Sequence, residues 1–166
     1  MVNSGVEIED VCLNKWNEIG GVKSTLKGCL LKLSDDFKTI ISIADSDLKK
    51  SDQEAWKKFV DMLPEDGCRF GYFDFDLRVK SGSTNVSDRI VNKTTMISWV
   101  GPKASIKERM IHTATVMSLK AKTGAVLVLT FGSMGDVDLE EIAAAIHHKC
   151  HMSQPVVNIE GVKLLK

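Results

Sequence analysis

His147-His148-Lys149-Cys150-His151 is the one metal-like cluster in the chain. Imidazole and thiolate are zinc ligands, but a structural zinc site needs four of them converging from folded elements. Adjacent residues on a helix point to different sides, so His147 and His148 do not face one ion together. Basic groups are favoured at a helix C-terminus, and a solvated helix end accounts for this run better. No metal and no other cofactor is expected.

The other chemistry-bearing residues point away from catalysis. There is no GxSxG elbow for a serine nucleophile. Cys68, followed by Arg69 at a strand start, reads as a buried structural thiol. Asp74 and Asp76 alternate with Phe73, Phe75 and Leu77 and share one face of a strand, a pattern that a carboxylate pair and an exposed strand face both produce. Gly21-Val-Lys-Ser-Thr lacks the glycine directly before lysine that a phosphate loop needs. A binding module is favoured over an enzyme.

The elements that carry these residues follow from periodicity and punctuation. A first helix is expected over Val6 to Ile19, ended by Gly20-Gly21, with Glu7, Glu9 and Asp10 at its positive end. Leu26 to Leu33 and Lys38 to Ala44 read as a hairpin around Ser34-Asp35-Asp36. Ser51 or Asp52 is the expected cap of a second helix through Trp56, Phe59, Val60 and Leu63, stopped by Pro64. An aromatic-rich strand follows over Phe70 to Leu77. Val79 to Lys93 is weakly patterned, with a loop at Ser81 to Asn85, and Thr94 to Val100 is the next strand. Ala125 to Phe131 reads as a covered strand, Asp136 or Asp138 caps a last helix through Ile146, and Val156 to Ile159 is a short strand.

Between those strands lies the longest helix. Ser105 caps it, and Glu108 stands at the capping-box spacing. Ile106, Met110, Ala114, Met117 and Ala121 fall on one side at about 100° per residue. That stripe is expected to pack on the sheet. His112, Val116 and Leu119 then face outward beside Lys107 and Arg109, as a partner surface or as a second buried side.

Helices interspersed with hairpins predict an α/β chain of the α+β type, with a mixed five- or six-stranded sheet flanked by helices on both faces. The strand-helix-strand crossover around the long helix favours a parallel pair. At 166 residues, one domain spanning 1–166 is expected, with a core at about 6–150 and a C-terminal extension at 151–166. Lys plus Arg is 22 and Asp plus Glu is 22, so broad electrostatic affinity for nucleic acid is not expected. The acidic start argues against a signal peptide, and no apolar run approaches the ~20 residues that span a bilayer. The four cysteines form no CxxC pair, and a reduced cytoplasmic setting is the default.

Six segments in register resemble the actin-depolymerising factor/cofilin family: Ser4-Gly5-Val6, Leu33 to Ile41, Phe59 to Phe70, Ser98-Trp99, Lys107 to Thr115 and Val156 to Gly161. The resemblance implies an ADF-homology, gelsolin-like fold and a protein that binds actin monomers and filaments and promotes severing, depolymerisation and turnover. It implies that the long helix docks in an actin cleft through Lys107, Arg109 and Met110, with Thr115 further along and Ser4, Gly5 and Val6 beside them. Ser4 corresponds to a regulatory phosphorylation site, where a phosphate would add about two negative charges. Arg89, Lys93 and Glu141 are the implied filament-specific residues. Phosphoinositides are an implied second partner, with no membrane insertion, a monomeric state, a cytoplasmic and cytoskeletal location, and nuclear entry left open.

The chain departs from the family pattern at Val116, where a lysine is usual, and at His112, where tyrosine is usual. Val91 replaces a stem cation, Ala144 and Ala145 replace charge on the last helix, and only Lys23 and Lys27 stand where a nuclear-import cluster is common. Two other readings stay open. One is a non-severing module, coactosin-like or glia-maturation-factor-like. The other is a metal- or thiol-dependent enzyme around Cys150.

Overall fold

A hairpin of two twelve-residue strands, Cys68–Val79 (β5) and Arg89–Val100 (β6), forms the spine of the sheet. They pair antiparallel along their whole length, from Cys68 opposite Val100 to Val79 opposite Arg89. The computed structural model describes residues 5–21, 23–80 and 88–164. The loop expected at Ser81 to Asn85 lies outside the described residues. Both strands extend well into the stretch that is weakly patterned in sequence, because each supplies the other's hydrogen bonds.

The other strands are Glu7–Ile8 (β1), Leu26–Leu33 (β2), Thr39–Ser42 (β3), Leu48–Lys49 (β4), Val128–Phe131 (β7), Val156–Ile159 (β8) and Val162–Lys163 (β9). The main order is β1-β3-β2-β5-β6-β7, with β4 on β2, β8 on β5 and β9 on β8. The sheet is mixed, as expected: β6 and β7 run parallel across the crossover helix, and most other pairs are antiparallel. Among the described residues it has nine strands where five or six are expected; the excess is three two-residue strands, β1, β4 and β9. Such short pairings leave no periodicity to read.

The helices are Asp10–Ile19 (α1), Ala55–Asp61 (α2), Ile106–Thr123 (α3) and Leu139–Lys149 (α4). The first helix starts later than Val6, because Glu7 and Ile8 are extended and pair in parallel with Thr39 and Ile40. Neither Ser51 nor Asp52 caps α2. The Asp52 carboxylate instead accepts from the Lys49 N–H at 2.9 Å, and α2 begins at Glu54 with φ at +53° and no side-chain cap. For α4 the cap is Asp138, which accepts from Glu140 N–H, while Asp136 closes the preceding turn on Gly132 N–H. β7 is only the last four residues of its expected stretch, and Val126 before it is exposed.

Alternation along the strands builds two cores. Phe73, Phe75 and Leu77 with Ile97 and Trp99 pack under α2 and α4. Trp56 of α2 lies 5.0 Å from the rings of both Phe73 and Phe75. Phe70, Tyr72 and Met96 with Cys29 and Leu31 pack under α1 and α3. Full burial of one such large side chain contributes about 1.5–3 kcal/mol, so apolar packing holds the helices on each face; all four cysteines are free thiols.

The two aspartates of β5 part company. Asp74 is buried, accepting from Asn92 and Thr94, and burial raises its carboxyl above the usual range. Asp76 is exposed and pairs with Lys27 at 3.3 Å. The pair is part of a structural polar cluster, not an open acid–base couple.

Candidate partner-binding site

The start of α3 is fixed by a knot of backbone contacts. Gly101 N–H donates to Gly67 O at 3.0 Å, Lys103 N–H to Glu65 O at 2.9 Å, and the Trp99 indole to Pro64 O at 2.6 Å. Ser105 accepts from Glu108 N–H at 3.1 Å, as its position in a capping box predicts. The Glu108 carboxylate, however, accepts from Cys68 N–H at 3.2 Å and so ties the helix start to the start of β5.

From that anchored start, the faces of α3 are the reverse of the expected ones. His112, Thr115, Val116 and Leu119 are buried against the sheet. Ile106, Met110 and Met117 are 78 %, 68 % and 61 % exposed. These three lie within about 40° of arc on the outer side. Periodicity found both apolar sides but not which one meets the sheet. The deciding feature is His112, which is fully buried: its ring stacks on Phe70 at 4.2 Å and its Nε2 lies 2.9 Å from Ser98 Oγ on β6. Burial pushes its pKa down to about 4, with the nearby Arg69 charge acting the same way. It is neutral at pH 7.

The expected site residues divide accordingly. Met110 stands on the exposed stripe, and Lys107 is exposed beside it, with its ammonium 5.5 Å from the Phe37 ring. Arg109 is half-buried and turns back, its guanidinium donating to the carbonyls of Gly101 and Pro102. Thr115 is fully buried, and its hydroxyl donates to Ile111 O at 2.6 Å, so it offers no surface; a helical hydroxyl at this spacing satisfies itself on its own backbone. Gly5 is exposed, Val6 packs into the core under α1 and α3, and Glu7 N–H donates to Lys38 O at 2.9 Å. The N-terminal strand therefore lies against the same β2–β3 turn that carries Phe37. Ser4 lies outside the described residues.

Arg89 and Lys93 stand on β6 two pleats apart, on the side of the sheet that α4 covers, and Glu141 is exposed on α4. Ile106, Met110 and Met117, which periodicity places against the sheet, form the exposed stripe instead. Phe37 carries no periodic signal; it holds φ at +58° in the β2–β3 turn. Among the described residues, no group of three or more His, Cys, Asp and Glu side chains is placed to hold a metal ion. No described helix is long and apolar enough to cross a membrane.

A long capped helix presents an exposed thioether stripe on a mixed sheet with helices on both faces. The chain matches the family described as cofilin/tropomyosin-type actin-binding protein over residues 5–147, and it belongs to that family. It is 32 % identical over 123 residues to Cofilin-4 of Dictyostelium discoideum, covering 73 % of this chain and 81 % of that protein. The fold is similar to the crystal structure of cofilin from Streptomyces griseoflavus, with a TM-score of 0.66 at 22 % identity over 83 % of this chain and 94 % of that one. It is also similar to coactosin from Entamoeba histolytica, with a TM-score of 0.67 at 20 % identity over 90 % and 99 %.

Proposed function

We propose that this chain binds actin monomers and filaments through the outer face of α3 and promotes filament severing, depolymerisation and turnover. The observation that carries the reading is the stripe of Ile106, Met110 and Met117, exposed on a helix whose opposite side is fully packed. Three large apolar side chains kept in water, with Lys107 at the edge, suit an apolar groove rimmed by acidic groups. Met is an adaptable surface for such contacts. Gly5 and Val6 are proposed as further actin contacts, next to Glu7, whose N–H pairs with Lys38 O in the β2–β3 turn. Ser4, two residues from Val6, is the proposed regulatory phosphorylation site, since added negative charge opposes an acidic partner. Arg89, Lys93 and Glu141 are the proposed filament-specific residues. Anionic phosphoinositide headgroups are proposed to compete for Lys107. The chain acts as a monomeric single domain in the cytoplasm, without catalysis.

Family membership supports actin as the partner more strongly than it supports severing, because coactosin shares the fold. Imaging of single actin filaments separates the two. Filaments that fragment and shorten support severing; filaments that are decorated and stay intact assign the chain to the non-severing modules.

A further inference from the structure

The β2–β3 turn is built around an unusual residue. Phe37 sits at φ +58°, a left-handed conformation that a bulky side chain seldom adopts. The turn holds it there. Ser34 donates to the Asp36 carboxylate at 2.6 Å, which also accepts from Lys38 N–H at 3.0 Å. Phe37 N–H donates to Ser34 O at 2.9 Å, and the chain re-pairs through Thr39 N–H to Ser34 Oγ at 3.1 Å. The ring is half-buried against the core under α1 and α3 and carries the Lys107 ammonium 5.5 Å from its centre. That distance is within the range of a cation–π contact. Lys107 has no carboxylate partner among the described residues, although this chain has as many acidic as basic residues.

A lysine on a helix surface ordinarily samples many rotamers, and holding it in one orientation before binding removes that ordering cost from the complex. We propose that Phe37 is a positioning residue for Lys107: the strained turn presents the aromatic face that holds this ammonium beside Met110, ready for a carboxylate on the actin surface. The turn thereby becomes part of the α3 site. Phe37 acts through Lys107, so its contribution disappears when Lys107 is neutral. This rests on the reading of the outer face of α3 as the actin-binding surface.

The test is a double-mutant cycle on actin-monomer affinity with Phe37→Leu, Phe37→Tyr and Lys107→Gln, with thermal midpoints measured alongside. Phe37→Leu keeps the apolar packing and removes the aromatic face, and affinity is expected to fall about two- to fivefold. Phe37→Tyr restores wild-type affinity. In the Lys107→Gln background, Phe37→Leu changes nothing further. An equal effect of Phe37→Leu in both backgrounds overturns the proposal, since Phe37 would then act directly or through the fold. A Lys107→Gln variant with wild-type affinity overturns the actin reading of this face and the positioning role with it. If Lys107→Gln weakens binding and Phe37→Leu does not, only the role of Phe37 falls. The pairing has its own readout in the free protein: the Lys107 Cε protons are expected upfield by ring current, and a shift unchanged in Phe37→Leu contradicts the contact.

Discussion

Ser98 Oγ and His112 Nε2 lie 2.9 Å apart in the fully enclosed space between β6 and α3. The contact joins the middle of the sheet to the helix that presents the partner surface. Whichever nitrogen carries the proton of the neutral ring, Nδ1 has no partner among the described residues, so the doubly protonated ring would bury an Nδ1–H with no acceptor.

This makes acid a specific destabiliser. The folded pKa of His112, near 4, is below its ordinary 6.5, so the unfolded chain takes up the proton first. The contribution is present in full above pH 6.5 and is lost as pH falls toward 4, by on the order of 3 kcal/mol. Urea unfolding of wild type and His112→Gln across that window checks it. The wild-type curve is expected to fall more steeply with acid; parallel curves contradict the assignment.

Gly101 is expected to tolerate no side chain. A Cβ there would lie 2.6 Å from Glu65 O and 2.9 Å from Pro64 O, and these carbonyls belong to the knot that starts α3. Gly101→Ala forces the two turns apart, with an expected loss of about 2–4 kcal/mol in chemical denaturation. A loss under about 0.5 kcal/mol, the range of ordinary surface changes, contradicts the view that the knot is rigid.

At the far end of the sheet, Glu160 accepts from the buried Lys27 ammonium at 3.0 Å and from Asp76 N–H at 2.6 Å. Lys27 also donates to Asp74 O. Glu160→Ala leaves that ammonium with one carboxylate, and Asp76 is half in water. The expected cost is about 2–4 kcal/mol, less than that of a fully enclosed pair because Asp76 remains. Equal thermal midpoints for wild type and variant would show that the β8–β9 hairpin is held by its backbone pairing alone.

How much of this was legible in the sequence depends on the range of the interaction. The Ser105 cap, the crossover helix with its parallel strands, and the mixed sheet between helices are written in local pattern and punctuation. The Lys27–Glu160 pair joins residues 133 positions apart and leaves no local trace. The orientation of α3 failed for a different reason. Ile106-Met110-Met117 and His112-Val116-Leu119 are both apolar enough to be cores, and the Ser98 hydroxyl and the Phe70 ring that receive the histidine side lie on distant strands. Thr115 and Arg109 match family positions, yet the Thr115 hydroxyl and one Arg109 guanidinium nitrogen donate to the chain's own carbonyls. Phe37 was invisible because a strained turn follows no periodicity.

The thiols offer a check on both cores. Cys12, Cys29 and Cys68 are buried, and burial raises their pKa values to about 11, 12 and 11. Cys150 is partly exposed at the end of α4. A thiol reagent at pH 7.5 is expected to modify Cys150 in the folded protein and all four cysteines after denaturation. Rapid modification of Cys12 or Cys29 in the native state would mean that α1 does not cover its face of the sheet.

The central claim is that the outer stripe of α3 is the actin-binding surface. It is tested most directly by co-sedimentation of actin filaments with wild type and with Met110→Gln/Met117→Gln, two exposed positions where substitution spares the core. Burial of a methionine side chain contributes about 1.5–3 kcal/mol, so affinity is expected to drop at least about tenfold while the thermal midpoint stays unchanged. Undiminished binding by a folded double variant would contradict the account and move the site elsewhere on the molecule.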